Sequence, residues 1–174
     1  RQVDAAYEPA RQGEKPRAPA PLVLLAQNEQ GYLNLLKLNS CLYLGQHGQL
    51  PQVTPDELDR HGAGLICLTG GPEGPVGRYL QQGQSARAEA LLDRLHGIYG
   101  DRLYVELQRH PGEGGQPTEA ERATERGFVE MAYAKGLPLV ATNDVYFPKS
   151  EMYEAHDALI CIAEGAYVDQ SAPR

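Results

Sequence analysis

Pro138-Leu139-Val140-Ala141-Thr142-Asn143-Asp144-Val145-Tyr146-Phe147 decides how the rest of this chain is read. A short apolar run bounded by a proline and by Asn143-Asp144 has the length and composition of a buried strand. The helical sequence before it closes at Lys135-Gly136, and another helix is predicted to open at Ser150. Helix, strand, helix is the repeating unit of a parallel α/β sheet. The chemistry of such sheets collects where strands end. Asp144, a carboxylate at such an end, is the first candidate ligand or acid/base group.

Three further strands are predicted upstream: Pro21–Ala26, read as buried, Gly64–Thr69, and Arg102–Leu107, with alternation. Between them lie helical patterns. Asn28 is placed to cap a helix carrying Tyr32, Leu35, Leu36 and Leu38. Thr54-Pro55-Asp56-Glu57 and Thr118-Glu119-Ala120-Glu121 are capping boxes. Ala88, Leu91, Leu92, Leu95 and Ile98 form the apolar stripe of a helix ending near Gly100, and Phe128 and Met131 mark one that stops at Gly136. The last helix, from Ser150 to Gly165, has Met152, His156, Leu159 and Ile160 on its apolar side. Residues 1–20, rich in Ala, Pro, Arg and Gly, read as a linker or long loop before one α/β layer.

The 174 residues suit one domain with a real core, and the formal charge of -7 argues against a free-standing nucleic-acid binder. No apolar run is long enough to span a membrane. Cys41, Cys67 and Cys161 are far apart and odd in number, which fits a reduced, cytoplasmic setting; Cys67 and Cys161 read as core thiols. The polar opening at Arg1 reads as a piece of a longer chain.

Gly70-Gly71-Pro72-Glu73-Gly74-Pro75-Val76-Gly77-Arg78 follows a strand and precedes a helix. It reads either as an anion turn, with backbone N–H groups and Arg78 facing a phosphate, or as a tight turn with close helix packing. Glu106 lies on the strand face opposite Leu103, Val105 and Leu107. It reads either as half of a carboxylate pair with Asp144 or as a group bonded to a neighbouring Arg such as Arg102 or Arg109, or simply solvated. His110 sits just beyond the same strand, as a surface residue or a site member. These residues alone specify no reaction.

Several ordered blocks carry more: Leu22-Val23-Leu24-Leu25-Ala26-Gln27-Asn28 with Gly31-Tyr32-Leu33-Asn34-Leu35; Leu68-Thr69-Gly70-Gly71; Tyr104-Val105-Glu106-Leu107; Leu137 to Val145; and Ala155-His156-Asp157-Ala158-Leu159. Together, from about Pro21 to the end, they resemble the PHP (polymerase and histidinol phosphatase) domains of bacterial replicative DNA polymerase III alpha subunits, of alpha-proteobacterial type. The resemblance implies that 21–174 is the middle and later part of an irregular β/α barrel, mostly parallel strands flanked by helices.

It also implies a comparison of metal ligands. The Asp that follows Ala-Thr-Asn in members with a metal site is Asp144 here, but the His two residues on is Tyr146. The Cys of the glycine turn is Gly71, and the His opening the first strand is Pro21. A divalent metal needs several donors in one geometry, so Asp144 reads as a vestigial ligand and no cofactor is expected. The implied function is a structural, subunit-docking segment of a DNA-directed DNA polymerase, a nucleotidyltransferase of DNA replication. The implied partners are the rest of the alpha subunit and a proofreading exonuclease subunit, with DNA reached only through the parent chain. Self-association of this piece through an open sheet edge is a further expectation. Two alternatives stand beside it: a metal-dependent phosphoesterase or 3'-5' exonuclease using Asp144, Glu106 and His110, and a phosphate-binding protein using Gly70, Gly71 and Arg78.

Overall fold

The computed structural model describes residues 2–3, 19–44, 51–110, 116–143 and 145–168. The chain divides into two compact units, Arg1–Thr142 and Asn143–Arg174. The expected linker at 1–20 lies largely outside the described residues. Within it, the two-residue strand β1 (Gln2–Val3) pairs antiparallel with β2 (Ala20–Pro21).

The first unit is a four-stranded sheet with helices between its strands. In chain order it contains β3 (Val23–Ala26), α1 (Glu29–Leu44), α2 (Pro55–His61), β4 (Leu65–Leu68), α3 (Pro75–Gln81), α4 (Ser85–Tyr99), β5 (Leu103–Gln108), α5 (Glu119–Lys135) and β6 (Leu139–Thr142). The sheet order is β3-β4-β5-β6. β4, β5 and β6 run parallel, so the expected mostly parallel α/β sheet is what the chain builds. β3 is the exception, antiparallel to β4.

Both capping boxes form. Thr54 and Glu57 exchange bonds at the start of α2, with Pro55 in its first turn, and Thr118 and Glu121 do so at α5. Asn28 caps α1 by accepting the Gly31 N–H at 2.9 Å. Gly136, at φ +64°, ends α5 in the left-handed conformation that glycine adopts at least cost. One apolar core joins α4 (Ala88, Leu92, Leu95, Tyr99), β4 and β5 (Leu65, Cys67, Leu103, Val105), and Phe128 of α5.

Three expectations about burial are corrected. β6 is half-buried to exposed rather than buried, because only β5 flanks it in the sheet order. β3 is likewise an edge strand: Leu22 just before it is fully buried, but Leu25 is 49% exposed. On α1 the buried stripe is Gly31, Asn34, Leu38 and Leu42, while Tyr32 and Leu36 face solvent. The Asn34 amide donates to the Ala63 carbonyl at 2.9 Å, which makes a polar position part of the packed face.

In the second unit, a 3-10 turn at Ser150–Met152 leads into α6 (Tyr153–Glu164), so Ser150 opens that turn rather than capping the α-helix. Gly165 terminates α6 at φ +66°. Tyr146 and Phe147 set their rings 5.4 and 5.3 Å from His156. Cys161 is buried, but Leu159, expected on the apolar side, is exposed. Among the described residues no helix is long and apolar enough to cross a membrane.

Candidate functional site

The parallel strands β4, β5 and β6 all end on the same side of the sheet, and alternation puts Glu106, Gln108, Val140 and Thr142 on one face of β5 and β6. Glu106 is 3% exposed, an unusual position for a carboxylate. Its Oε2 accepts the backbone N–H of Gly70 at 2.9 Å. Its Oε1 accepts the Thr142 hydroxyl at 2.5 Å and, at the long distance of 3.5 Å, the Gln108 amide. Its own N–H donates to Thr69 Oγ1 at 2.9 Å. One carboxylate thus ties the end of β4, through β5, to the end of β6, and every partner is neutral.

Burial and these neutral partners replace both the arginine-bonded and the solvated alternatives for Glu106. Arg102 instead donates to the carbonyls of Gly62 and Leu65, and Arg109 makes a two-pronged bridge to Glu125 at 2.8 and 2.5 Å. Burial first, and then the charge of Glu106, push the Cys67 thiol far above its ordinary range, so it is no nucleophile.

The glycine turn is tight for steric reasons. Gly70 has φ +81°, and a Cβ there would stand 2.3 Å from the Pro21 carbonyl oxygen. A Cβ on Gly74 would meet Thr69 O at 2.0 Å, and one on Gly77 would meet Pro72 O at 2.3 Å, where α3 packs onto the turn. At Gly71 the space belongs to Gln108, whose Oε1 would be 2.7 Å from an added Cβ. This is the geometry of the close-packing alternative. The N–H of Gly70, a donor the anion alternative would use, is bonded to Glu106. Arg78 is half-buried on α3.

His110 is engaged by Glu121. The Glu121 carboxylate accepts the His110 N–H at 2.9 Å and lies 2.7 Å from its Nδ1, while its other oxygen accepts the Thr118 N–H at 2.7 Å. Burial raises the Glu121 pKa, but hydrogen bonds from His110 and Thr118 outweigh it and hold the carboxyl below its ordinary value. Asp144 lies outside the described residues. Among the described residues no three His, Cys, Asp or Glu side chains come together as a metal site. Glu106 and Glu121 are each engaged by other donors.

The PHP domain family matches residues 2–110, well over half of the chain. The chain belongs to the PHP domain family. It is 51% identical over 160 residues to the DNA polymerase III subunit alpha of Caulobacter vibrioides, covering 91% of this chain and 13% of that protein. It is 37% identical over 147 residues to the subunit alpha of Rickettsia bellii, and 38% over 149 residues to that of Pseudomonas aeruginosa. These alignments cover 84% and 85% of this chain and 12% of each relative. The chain therefore spans about an eighth of the length of these curated relatives.

For a PHP chain, the residues that sequence reasoning missed are Thr69, Gln108 and Thr142. A signal for two of them was available. Gln108 and Thr142 fall on the Glu106 face by alternation once the strands are set in register. Thr69 had no such signal, because its role depends on the turn that follows it.

Proposed function

We propose that this chain is a non-catalytic, structural segment of a DNA polymerase III alpha subunit. It serves DNA replication in the cytoplasm through the DNA-directed DNA polymerase it helps to build. The observation that carries this reading is the state of Glu106: a buried carboxylate at the strand ends whose partners are an amide N–H, a hydroxyl and a carboxamide. Neutral donors hold the strand ends together there. The family resemblance supports it from the other side, since the matched ligand positions carry Pro21, Gly71 and Tyr146, and Gln108 fills the space at Gly71. Its partners in this reading are the remainder of the alpha subunit and a proofreading exonuclease subunit docked beside it. DNA is contacted only by other parts of the polymerase.

The test is metal content. Purified protein, dialysed against metal-free buffer, is expected to hold no stoichiometric zinc or manganese, and Asp144→Ala is expected to leave that unchanged. Stoichiometric metal that is lost in Asp144→Ala would overturn the proposal in favour of a metal-dependent phosphoesterase or exonuclease.

A further inference from the structure

We infer that the turn after β4 and the end of β6 form a carboxylate-binding site, and that its ligand is the chain's own Glu106. The site has a fixed donor set. The Gly70 N–H is aimed by a left-handed backbone that glycine alone adopts at low cost, and that glycine cannot acquire a side chain because of the Pro21 carbonyl. The Thr142 hydroxyl and the Gln108 amide converge on the other carboxylate oxygen. Amide N–H groups and hydroxyls in a water-poor setting stabilise a negative charge without any cation, as in other backbone anion sites. The glycine turn therefore has its anion already, delivered from β5, and is closed to phosphate from solution.

This goes beyond a structural role for the chain, because it assigns a ligand chemistry to a turn whose sequence suggested a phosphate cradle. It also holds whether or not Asp144 binds metal. The piece of Glu106 that lies beyond Cβ is a methylene and a carboxylate, which is acetate in everything but its bond to the chain. Removing that piece leaves a cavity of matching shape with unpaired donors, and free acetate satisfies both.

The experiment compares wild type and Glu106→Ala by thermal and denaturant unfolding in sodium acetate, sodium phosphate and sodium chloride at equal ionic strength. In chloride, Glu106→Ala is expected to unfold several degrees lower than wild type. Acetate is expected to raise its midpoint saturably and to leave wild type unmoved. Phosphate is expected to shift wild type no more than chloride does. A variant as stable as wild type, or an acetate response shared equally by both proteins, would overturn the inference. So would saturable phosphate stabilisation of wild type that disappears in Arg78→Ala. If Glu106→Ala does not fold, Glu106→Gln keeps one acceptor oxygen and fills the cavity. It is expected to unfold below wild type without responding to acetate, and a midpoint equal to wild type would refute the need for a charged ligand.

Discussion

Gly31 of α1 and Gly64 in the turn before β4 are in backbone contact: a Cβ on Gly31 would stand 1.8 Å from the Gly64 carbonyl oxygen. The same carbonyl accepts the Gln27 N–H at 2.9 Å, so the start of α1 is held against the start of β4 from two sides. Gly31→Ala forces backbone apart rather than displacing a side chain. It is expected to cost about 3 kcal/mol, at the upper end for overpacking. Gly97→Ala is the control, since nothing lies within 4 Å of its added Cβ in α4. It should stabilise by about 0.5–1 kcal/mol through helix propensity. Urea midpoints of the two variants check both.

Thr142→Val keeps the shape of the side chain and removes the donor to Glu106 Oε1. A hydrogen bond to a charged, buried acceptor is worth about 2 kcal/mol, and that loss is expected in equilibrium unfolding. The same substitution in a Glu106→Gln background should cost much less, and a full double-mutant cycle reads the difference.

Glu121 gives a pH dependence whose sign follows from its depressed pKa. The folded carboxyl holds its proton less tightly than the unfolded one. The stability it contributes is therefore complete above the ordinary carboxylate range and is lost as pH falls through the folded value. Glu121→Gln removes the charge while keeping an acceptor. It should be weaker than wild type by about 1 kcal/mol at neutral pH and converge with it in acid. Denaturant midpoints measured across the acid range decide this.

The Tyr99 hydroxyl is buried with no hydrogen-bond partner among the described residues. Burial, and then the neighbouring Cys67, push its pKa well above the ordinary phenol range, so it stays neutral. Tyr99→Phe removes a desolvated, unsatisfied group and leaves the ring that Arg102 faces at 5.9 Å. It is expected to raise stability by about 1 kcal/mol, seen as a higher melting temperature.

What the sequence revealed depended on whether the signal was local. The capping boxes at Thr54 and Thr118, the Asn28 cap and the glycine terminators at Gly136 and Gly165 each act within one turn of chain, and all were legible. The order of strands and helices was legible through apolar periodicity. Position in the sheet was not. Leu22 to Ala26 and Leu139 to Thr142 look like interior strands because nothing in a short apolar run says how many neighbours it has. Asn34 on α1 was missed for a related reason, since its partner, the Ala63 carbonyl, lies 29 residues away. Alternation puts Glu106 on its own face of β5, but the arginines beside it in sequence are engaged elsewhere, and its donors come from a turn, an edge strand and Gln108 of its own strand.

Glu106 stands 36 residues after Gly70 and 36 before Thr142. Two loop closures of equal span, one through α3 and α4 and one through α5, must both be complete before the carboxylate has its donors. Closure entropy changes slowly with length, so neither loop has a large head start over the other. Until both have closed, the charge is better hydrated than buried, even though Leu103 and Val105 of the same strand favour burial. The return of distant segments to this strand is a non-local pairing, of the kind that slows the folding of parallel sheets. A nascent chain that has emerged only as far as β5 carries an ionised side chain still waiting for half of its site.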